Sequence, residues 1–144
     1  MSTEETKKWA HRFSEEWNRG NLEGVIALIA QDFTGHNSGT GETSGAEGFR
    51  QSLRAFYKGL PDSKMTAQLV VAEGDIVTEY GTLTGTHKGD LFGAPPTGKK
   101  ITITYIDIHR YKDGKIVEGW HLDNTLAMLQ QLEALPAHRA MRSA

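Results

Sequence analysis

Two consecutive segments of the chain carry an aspartate and a histidine at positions where their side chains could meet. Residues 101–111 and 115–122 are rich in Val, Ile, Thr and Tyr, which is typical of β-strands, and alternate side chains of a strand lie on one face. A carboxylate beside an imidazole fixes its tautomer and raises its basicity, which suits proton exchange near neutral pH. The pattern therefore predicts acid–base catalysis by Asp107 and His121. The polar residues that share the predicted face are Tyr105, Asp107, His109, His121 and Asp123.

The register of these two strands decides whether the two side chains meet. We expect residues 112–114 to form a three-residue hairpin loop with Gly114 as its left-handed residue. Asp107 then faces Gly119 and lies diagonally from His121, about 7–8 Å away at the backbone, and the glycine leaves space beside the pair. A two-residue loop would instead put Asp107 and His121 on opposite faces. A hydrogen bond with a purely structural role is the alternative to catalysis.

Hydrophobic periodicity indicates which elements position these residues. Apolar residues at helical spacing predict three helices before the sheet, and runs of β-branched residues between turn signals predict an antiparallel sheet, which together describe an α+β domain. Helices on one face of a curved sheet leave its other face free to line a cavity. The predicted elements are helices over 6–19, 21–29 and 49–60, a short strand and long loop over 32–45, strands over 65–72, 76–87, 99–111 and 115–122, a broken loop over 88–99, a last helix capped by Asp123 or Asn124, and a loose tail over 136–144.

Length and composition exclude several classes of protein. The 144 residues suit a single domain spanning 1–144, with enough chain to bury a core. The absence of cysteine excludes disulfides, thiolate nucleophiles and cysteine-ligated metals. A net charge of -2 gives no basic surface for nucleic acid or anionic lipid, and no apolar run approaches the ~20 residues of a membrane span. We therefore expect a soluble cytoplasmic protein without a nucleic-acid or membrane partner.

Five short segments, distributed over most of the chain, form a recognisable series. They are Gly81-Thr82-Leu83-Thr84-Gly85-Thr86-His87, Gly93-Ala94-Pro95-Pro96-Thr97-Gly98-Lys99-Lys100, Asp113-Gly114-Lys115-Ile116-Val117-Glu118 with Trp120, Leu129-Gln130-Gln131-Leu132, and Asp32-Phe33 followed by His36-Asn37. In this order and spacing they resemble the SnoaL-like polyketide (ester) cyclases. The resemblance runs from about Thr6 to Leu132 and rests on the whole series rather than on any single motif.

The resemblance implies the nuclear transport factor 2-like fold, an α+β cone. In this fold a curved antiparallel sheet surrounds a pocket, covered by three N-terminal helices and a C-terminal helix. For the characterised cyclases it implies a cofactor-free intramolecular aldol closure of a hydrophobic polyketide ester, and a homo-oligomer. The family's acid–base residue on the last strand matches His121, and its partner on the preceding strand matches Asp107. Some cyclases of this type carry aspartate at the first of these positions and histidine at the second, so the residue types are inverted here. Many relatives carry aspartate at the position of Asn124, whereas this chain has its acid at Asp123.

The pair and the resemblance together suggest a mechanism. We expect His121, oriented by Asp107, to remove a proton from a carbon flanked by carbonyls, after which the enolate attacks a ketone in the same molecule. Because such a carbon is itself acidic, neither a metal nor another cofactor is predicted. The residues expected to bind the substrate or to hydrogen-bond its enolate oxygen are His36, Asn37, Tyr105, His109, Asp123, Trp17 and Thr82.

Other functions remain open at the level of the sequence. An epoxide hydrolase, an isomerase or a hydroxylase could use the same fold, and so could a non-catalytic protein that binds a small molecule. A metal site is a further alternative, but the histidines lack a compact ligand spacing. We expect the loop over 88–99 to determine the substrate, and His87 beside it to be a candidate gate.

Overall fold

The computed structural model describes residues 2–37 and 41–134. The elements within these ranges are α1 (Thr3–Asn18), α2 (Leu22–Ile26), β1 (Ile29–Asn37), β2 (Gly41–Ser44), α3 (Gly45–Gly59), β3 (Lys64–Glu73), β4 (Ile76–Thr86), β5 (Lys100–Lys112), β6 (Lys115–Asp123) and α4 (Thr125–Gln131). None of these helices is long and apolar enough to span a membrane. The predicted tail over 136–144 lies outside the described residues.

Helix starts coincide with side chains that accept hydrogen bonds from the first turn. Ser2 accepts from the backbone of Glu5, Asn21 caps α2, and Asn124 rather than Asp123 caps α4. Gly20 ends the first helical segment with a φ of 68°, a conformation that glycine adopts without strain. Side-chain caps therefore set the starts of three of the four described helices. Helix α3, predicted over 49–60, begins at Gly45 without such a cap, and α2, predicted over 21–29, already ends at Ile26.

All six described strands form one curved, unclosed sheet in the order β2-β1-β6-β5-β4-β3. The pairs are antiparallel except for β1 and β6, which run parallel, so the sheet is mixed. The fold is the predicted α+β cone. It differs from the expectation between residues 32 and 45, where a short strand and a long loop are predicted and the structure has most of β1 and a second strand, β2. Both strands form because β1 is hydrogen-bonded on one side to β2 and on the other to β6.

Helices α1 and α3 cover the inner face of the sheet. Asn18 fixes α1 to β3 by exchanging two hydrogen bonds with the backbone of Met65, and Thr6 donates to the carbonyl of Gly74 at the other end. Residues of both helices and of β5 line one cavity, so the cavity lies between the helices and the sheet. The expectation that the cavity would occupy the face opposite the helices is therefore wrong.

The β5–β6 hairpin differs from the predicted register in two ways that compensate each other. Asp113 and Gly114 have φ values of 52° and 76°, which form a two-residue turn with Lys112 opposite Lys115. A β-bulge then leaves Val117 without a cross-strand partner. The predicted three-residue loop is wrong, but the extra residue restores the shared face that a two-residue turn alone would have abolished.

The bulge brings the two candidate catalytic residues closer together than predicted. Asp107 is directly opposite His121, instead of diagonal to it, and Tyr105 is opposite Asp123. Gly119 is opposite His109, where a Cβ would lie 3.3 Å from the histidine ring. The glycine therefore gives no space beside the Asp107–His121 pair, contrary to the expectation.

The outer face of the sheet carries several exposed apolar side chains. The side chains of Leu69, Val71 and Leu122 are 63%, 66% and 52% exposed. Exposed apolar residues that share one face of a sheet are typical of a protein–protein contact.

Candidate active site

A cavity of about 370 Å³ lies between the helices and the inner face of the sheet. This volume is within the range of small-molecule sites. Its walls are mostly apolar, and a few polar side chains from β5 and β6 face it on one side. The lining residues used below are Phe13, Trp17, Phe49, Phe56, Leu91, Phe92, Tyr105, Asp107, His109, His121, Asp123 and Asn37.

The polar side of the cavity is a histidine held between two aspartates. His121 Nδ1 lies 2.5 Å from Asp107 Oδ1, and His121 Nε2 lies 2.7 Å from Asp123 Oδ2. Thr125, in the first turn of α4, donates its hydroxyl to the other oxygen of Asp123. Asp107 is buried, whereas the side chain of His121 is about one third exposed. The predicted pair therefore meets, and Asp123 completes it as a third member.

The two aspartates determine the protonation state of His121. Burial alone would lower the pKa of His121, but the hydrogen bonds and negative charges of Asp107 and Asp123 outweigh it and raise this pKa to about 10. Burial also works against ionisation of Asp123, but hydrogen bonds from His121 and Thr125 hold the pKa of Asp123 below its usual range. At neutral pH the ring is therefore an imidazolium that donates both of its N–H groups.

The aromatic wall of the cavity comes from α1 and α3. The Phe13 ring packs edge-on against Phe49, and the Trp17 ring contacts Phe56. The indole Nε1 of Trp17 donates to Ser63 Oγ at 3.2 Å, which fixes the orientation of the ring. Trp17 therefore lines the cavity, as the sequence predicts.

His109 and Asn37 also lie at the cavity. The His109 ring packs 5.1 Å from the Phe13 ring, centroid to centroid. Burial lowers the pKa of His109, although the charge of Asp107 opposes it, so this histidine is neutral. Asn37 is the β1 partner of His121 in the parallel pairing, which brings it to the same end of the cavity.

Tyr105 contributes its ring to the cavity but buries its hydroxyl. A Cβ at Gly81 would lie 2.7 Å from the hydroxyl oxygen, so the group is positioned over β4. The hydroxyl has no hydrogen-bond partner among the described residues. Burial, with the charges of Glu79 and Asp107, raises the pKa of Tyr105 well above its ordinary value.

Tyr105→Phe should leave the free energy of unfolding unchanged or raise it by up to about 1 kcal/mol, because a buried hydroxyl without a partner is unfavourable. Urea denaturation measures this. Tyr57→Phe is the matched control, since the Tyr57 hydroxyl donates to the carbonyl of Trp17 at 2.9 Å, and its loss should cost about 1 kcal/mol. Equal destabilisation by both substitutions would contradict the expectation.

Two residues predicted to bind the substrate, His36 and Thr82, do not line this cavity, so their role in binding stays a prediction that this geometry does not support. His36 is on the outer face, stacked on Trp120 and hydrogen-bonded to Glu42 and Glu118. Thr82 is also on the outer face, where it accepts a hydrogen bond from Gln68. In both strands, every second residue faces inward, and these two positions have the opposite parity to the cavity residues.

The loop between β4 and β5 closes part of the cavity through Leu91 and Phe92. His87, the candidate gate, is fully buried at the base of this loop and does not line the cavity. Its Nδ1 accepts a hydrogen bond from the backbone of Thr97, and its backbone carbonyl accepts from Gly98. Its contacts are those of a residue that fixes the base of the loop.

Sequence reasoning missed most of the apolar wall and one acid. Phe13, Phe49 and Phe56 belong to the apolar residues whose helical spacing predicts α1 and α3, and periodicity cannot distinguish a core side chain from a cavity wall. Glu79, buried in β4 opposite Asp107, was not singled out. The alternation of β4 places Glu79 among inward apolar residues, and this signal could have identified it.

Within residues 2–37 and 41–134, no group of three or more His, Asp or Glu side chains is arranged to hold a metal ion. The absence of a cofactor remains a prediction.

Comparison with known proteins gives the family. The description of the family model that matches residues 7–132 is SnoaL-like polyketide cyclase, and the chain belongs to this family. No curated protein sequence matches the chain.

Solved structures share the nuclear transport factor 2-like fold. AclR from Streptomyces galilaeus, a proposed hydroxylase, is 30% identical with a TM-score of 0.85, over 94% of this chain and 100% of that one. IdmH from Streptomyces antibioticus, a proposed polyketide cyclase, is 31% identical with a TM-score of 0.78, over 89% and 98% of the two chains. A proposed polyketide cyclase from Bacillus cereus ATCC 10987 is 33% identical with a TM-score of 0.73, over 89% and 80%.

Proposed function

We propose that this chain catalyses the cofactor-independent intramolecular aldol closure of a hydrophobic, polyketide-like small molecule. The observation that carries the proposal is the 2.5 Å hydrogen bond between Asp107 and His121 at the wall of a mostly apolar cavity. Membership of the cyclase family supports it. A cavity that folds a flexible substrate so that its reacting carbons meet supplies part of the rate enhancement.

In this proposal Asp107 is the base and His121 is the acid. The sequence led us to expect His121 as the base, but an imidazolium whose two N–H groups are both donated has no lone pair to accept a proton. Asp123 has both oxygens engaged, by His121 and by Thr125. Asp107 uses Oδ1 for His121, and among the described residues its second oxygen makes no hydrogen bond.

Proton removal and return balance within this pair. The Asp107 carboxylate takes a proton from a carbon flanked by carbonyls, and the electrons of that C–H bond form the enolate. The enolate carbon bonds to a ketone carbon of the same molecule, whose π electrons move to its oxygen. His121 protonates this alkoxide from Nδ1, and Asp107 then gives the proton that it took from carbon to the vacant Nδ1, which restores the starting pair. The product is an isomer of the substrate.

Product analysis in water enriched in oxygen-18 tests this proposal against its alternatives. The panel consists of polyketide methyl esters and epoxides, with products identified by mass spectrometry and NMR. Aldol closure gives an unlabelled isomer or its dehydrated form, judged against an enzyme-free control for carbonyl exchange. An epoxide hydrolase would incorporate the solvent label, and a hydroxylase would add oxygen from dioxygen. Tight binding without turnover, unaffected by Asp107→Asn, would favour a non-catalytic binding protein.

We also propose that two copies of the chain associate through the outer face of the sheet, which would bury Leu69, Val71 and Leu122. The double substitution Val71→Glu and Leu122→Glu should give a monomer, because it places buried, unpaired charges in the contact. Light scattering coupled to size exclusion measures the mass. Phe92→Glu, in the loop at the cavity, is the control that should keep the dimer. A monomeric unsubstituted protein would contradict the expectation.

A further inference from the structure

Glu79, on β4, is the neighbour of the Asp107–His121 pair on the next strand of the sheet. It is the cross-strand partner of Asp107 in the β4–β5 pairing, and Asp107 is in turn the partner of His121. Directly opposed residues of antiparallel strands share a face, with Cβ atoms about 4.5–5.5 Å apart. Glu79 and Asp107 are each only 6% exposed. Two buried carboxyl groups therefore lie side by side on the inner face of the sheet.

Negative charge is in excess around His121 if Glu79 and Asp107 are both ionised. Among the described residues, no ion pair or hydrogen bond involves Glu79. The nearby cation, His121, is already bonded to Asp107 and Asp123. Burial, and after it the negative charge of Asp107, raises the pKa of Glu79 to about 7. A buried, uncompensated charge is costly, so the neutral form of Glu79 is favoured.

The other groups around Glu79 do not supply a positive charge. On β5 the titratable neighbours are Asp107, Tyr105, His109 and Tyr111. Burial lowers the pKa of His109, so its ring is neutral. The two tyrosine hydroxyls are buried without partners among the described residues. On β3 the cross-strand partner is Val70. On α1, the buried residues between its attachments to the two ends of β3 are Ala10, Phe13 and Glu16, and Glu16 is bonded to Arg19 and Asn21.

We propose that Glu79 is a positioning residue for Asp107, and that these two carboxyl groups hold one proton between them. This inference rests on the proposed function. The proton on Glu79 keeps Asp107 as a carboxylate paired with His121, ready to accept the substrate proton. When Glu79 ionises, the second negative charge holds the proton of His121 more tightly and slows protonation of the alkoxide.

A titration of side-chain carboxyl groups tests the shared proton without any substrate. Protein labelled with carbon-13 at the Asp and Glu carboxyls is followed by NMR from pH 4 to pH 9, and the Glu79 signal is assigned by its loss in Glu79→Gln. We expect Glu79 to titrate near neutral pH and the Asp107 signal to inflect at the same pH, an inflection that Glu79→Gln removes. Glu73→Gln, at an exposed position of β3, should preserve it. Titration of Glu79 near its ordinary value, or no linked inflection at Asp107, would overturn the proposal.

The pH profile of turnover tests the role in catalysis. The kcat of the unsubstituted enzyme should fall at least threefold as pH rises and Glu79 ionises, with KM unchanged; this fall is the alkaline limb of the pH profile. Glu79→Gln should remove the limb, whereas Glu79→Asp, which keeps a titrating carboxyl, should retain it. Glu73→Gln should behave as the unsubstituted enzyme. An identical limb in Glu79→Gln would overturn the positioning role. If the panel yields no turnover but the NMR inflections are linked, the proposed cyclisation fails while the shared proton stands.

Discussion

Asp107→Asn should lower kcat/KM for cyclisation by about 10²–10⁴-fold, the usual loss on removing a general base. The amide keeps the shape of the side chain and can still accept a hydrogen bond from His121, but it cannot accept a proton from carbon. It also removes one of the two negative charges that raise the pKa of His121. Turnover of the best substrate of the panel, with far-UV circular dichroism to verify the fold, measures this effect.

The control for this substitution is Asp113→Asn. Asp113 lies exposed in the β5–β6 turn with a φ of 52°, a conformation that asparagine tolerates well. It should therefore retain full activity. If Asp107→Asn kept more than about a tenth of the activity, Asp107 could not be the base, because the minimum contribution expected of such a group is larger.

The free energy of unfolding should fall as pH rises from about 5 to about 10, because Glu79 and His121 hold protons more tightly in the folded state. Burial lowers the pKa of His109, which gives an opposing gain only as pH rises to about 6.5, and we expect the two losses to exceed it. The pKa of Glu79 is raised from 4.5 to about 7, so folded Glu79 keeps a proton that the unfolded chain loses in this interval. This difference amounts to about 3 kcal/mol. The pKa of His121 is raised from 6.5 to about 10, so the stability it gives below 6.5 is lost as pH rises through 10. Since His121 is one third exposed, we expect about 2 kcal/mol from it.

Urea denaturation at several pH values measures this decline. Glu79→Gln should flatten the curve between pH 5 and 7 and raise stability at pH 8, because a neutral amide carries no ionisation penalty. Glu73→Gln should leave the slope unchanged. A flat curve for the unsubstituted protein over this range would show that Glu79 and His121 titrate alike in the folded and unfolded chains.

Helices and long strands were predictable because each carries a local signal. Trp9, Phe13 and Trp17 repeat at helical spacing, and the Asp-Gly and Glu-Gly-Asp turn signals separate runs of β-branched residues. The convergence of Asp107 and His121 also follows from strand alternation. These predictions concern residues that are close in the chain, for which spacing alone carries the information.

The remaining features depend on contacts between distant segments. β2 forms only because β1 offers a free edge to it, and its four residues carry little strand propensity. Strand alternation already places Asp123 on the shared face, but its two hydrogen bonds, to His121 and to Thr125, depend on how the chain turns from β6 into α4. His36 was misplaced because a residue beside a glycine-rich loop gives no sign of which face of the sheet it occupies.

The unpaired Val117 has a consequence for changes in chain length. Removing this one residue, while keeping the Asp-Gly turn, would invert the parity of β6 beyond the bulge and direct the imidazole of His121 to the outside of the cone. A one-residue insertion or deletion between the turn and His121 is therefore compatible with the site only when a bulge or a change of turn length compensates for it. Hairpin length is a stricter criterion than residue identity for finding other chains that can carry the same pair.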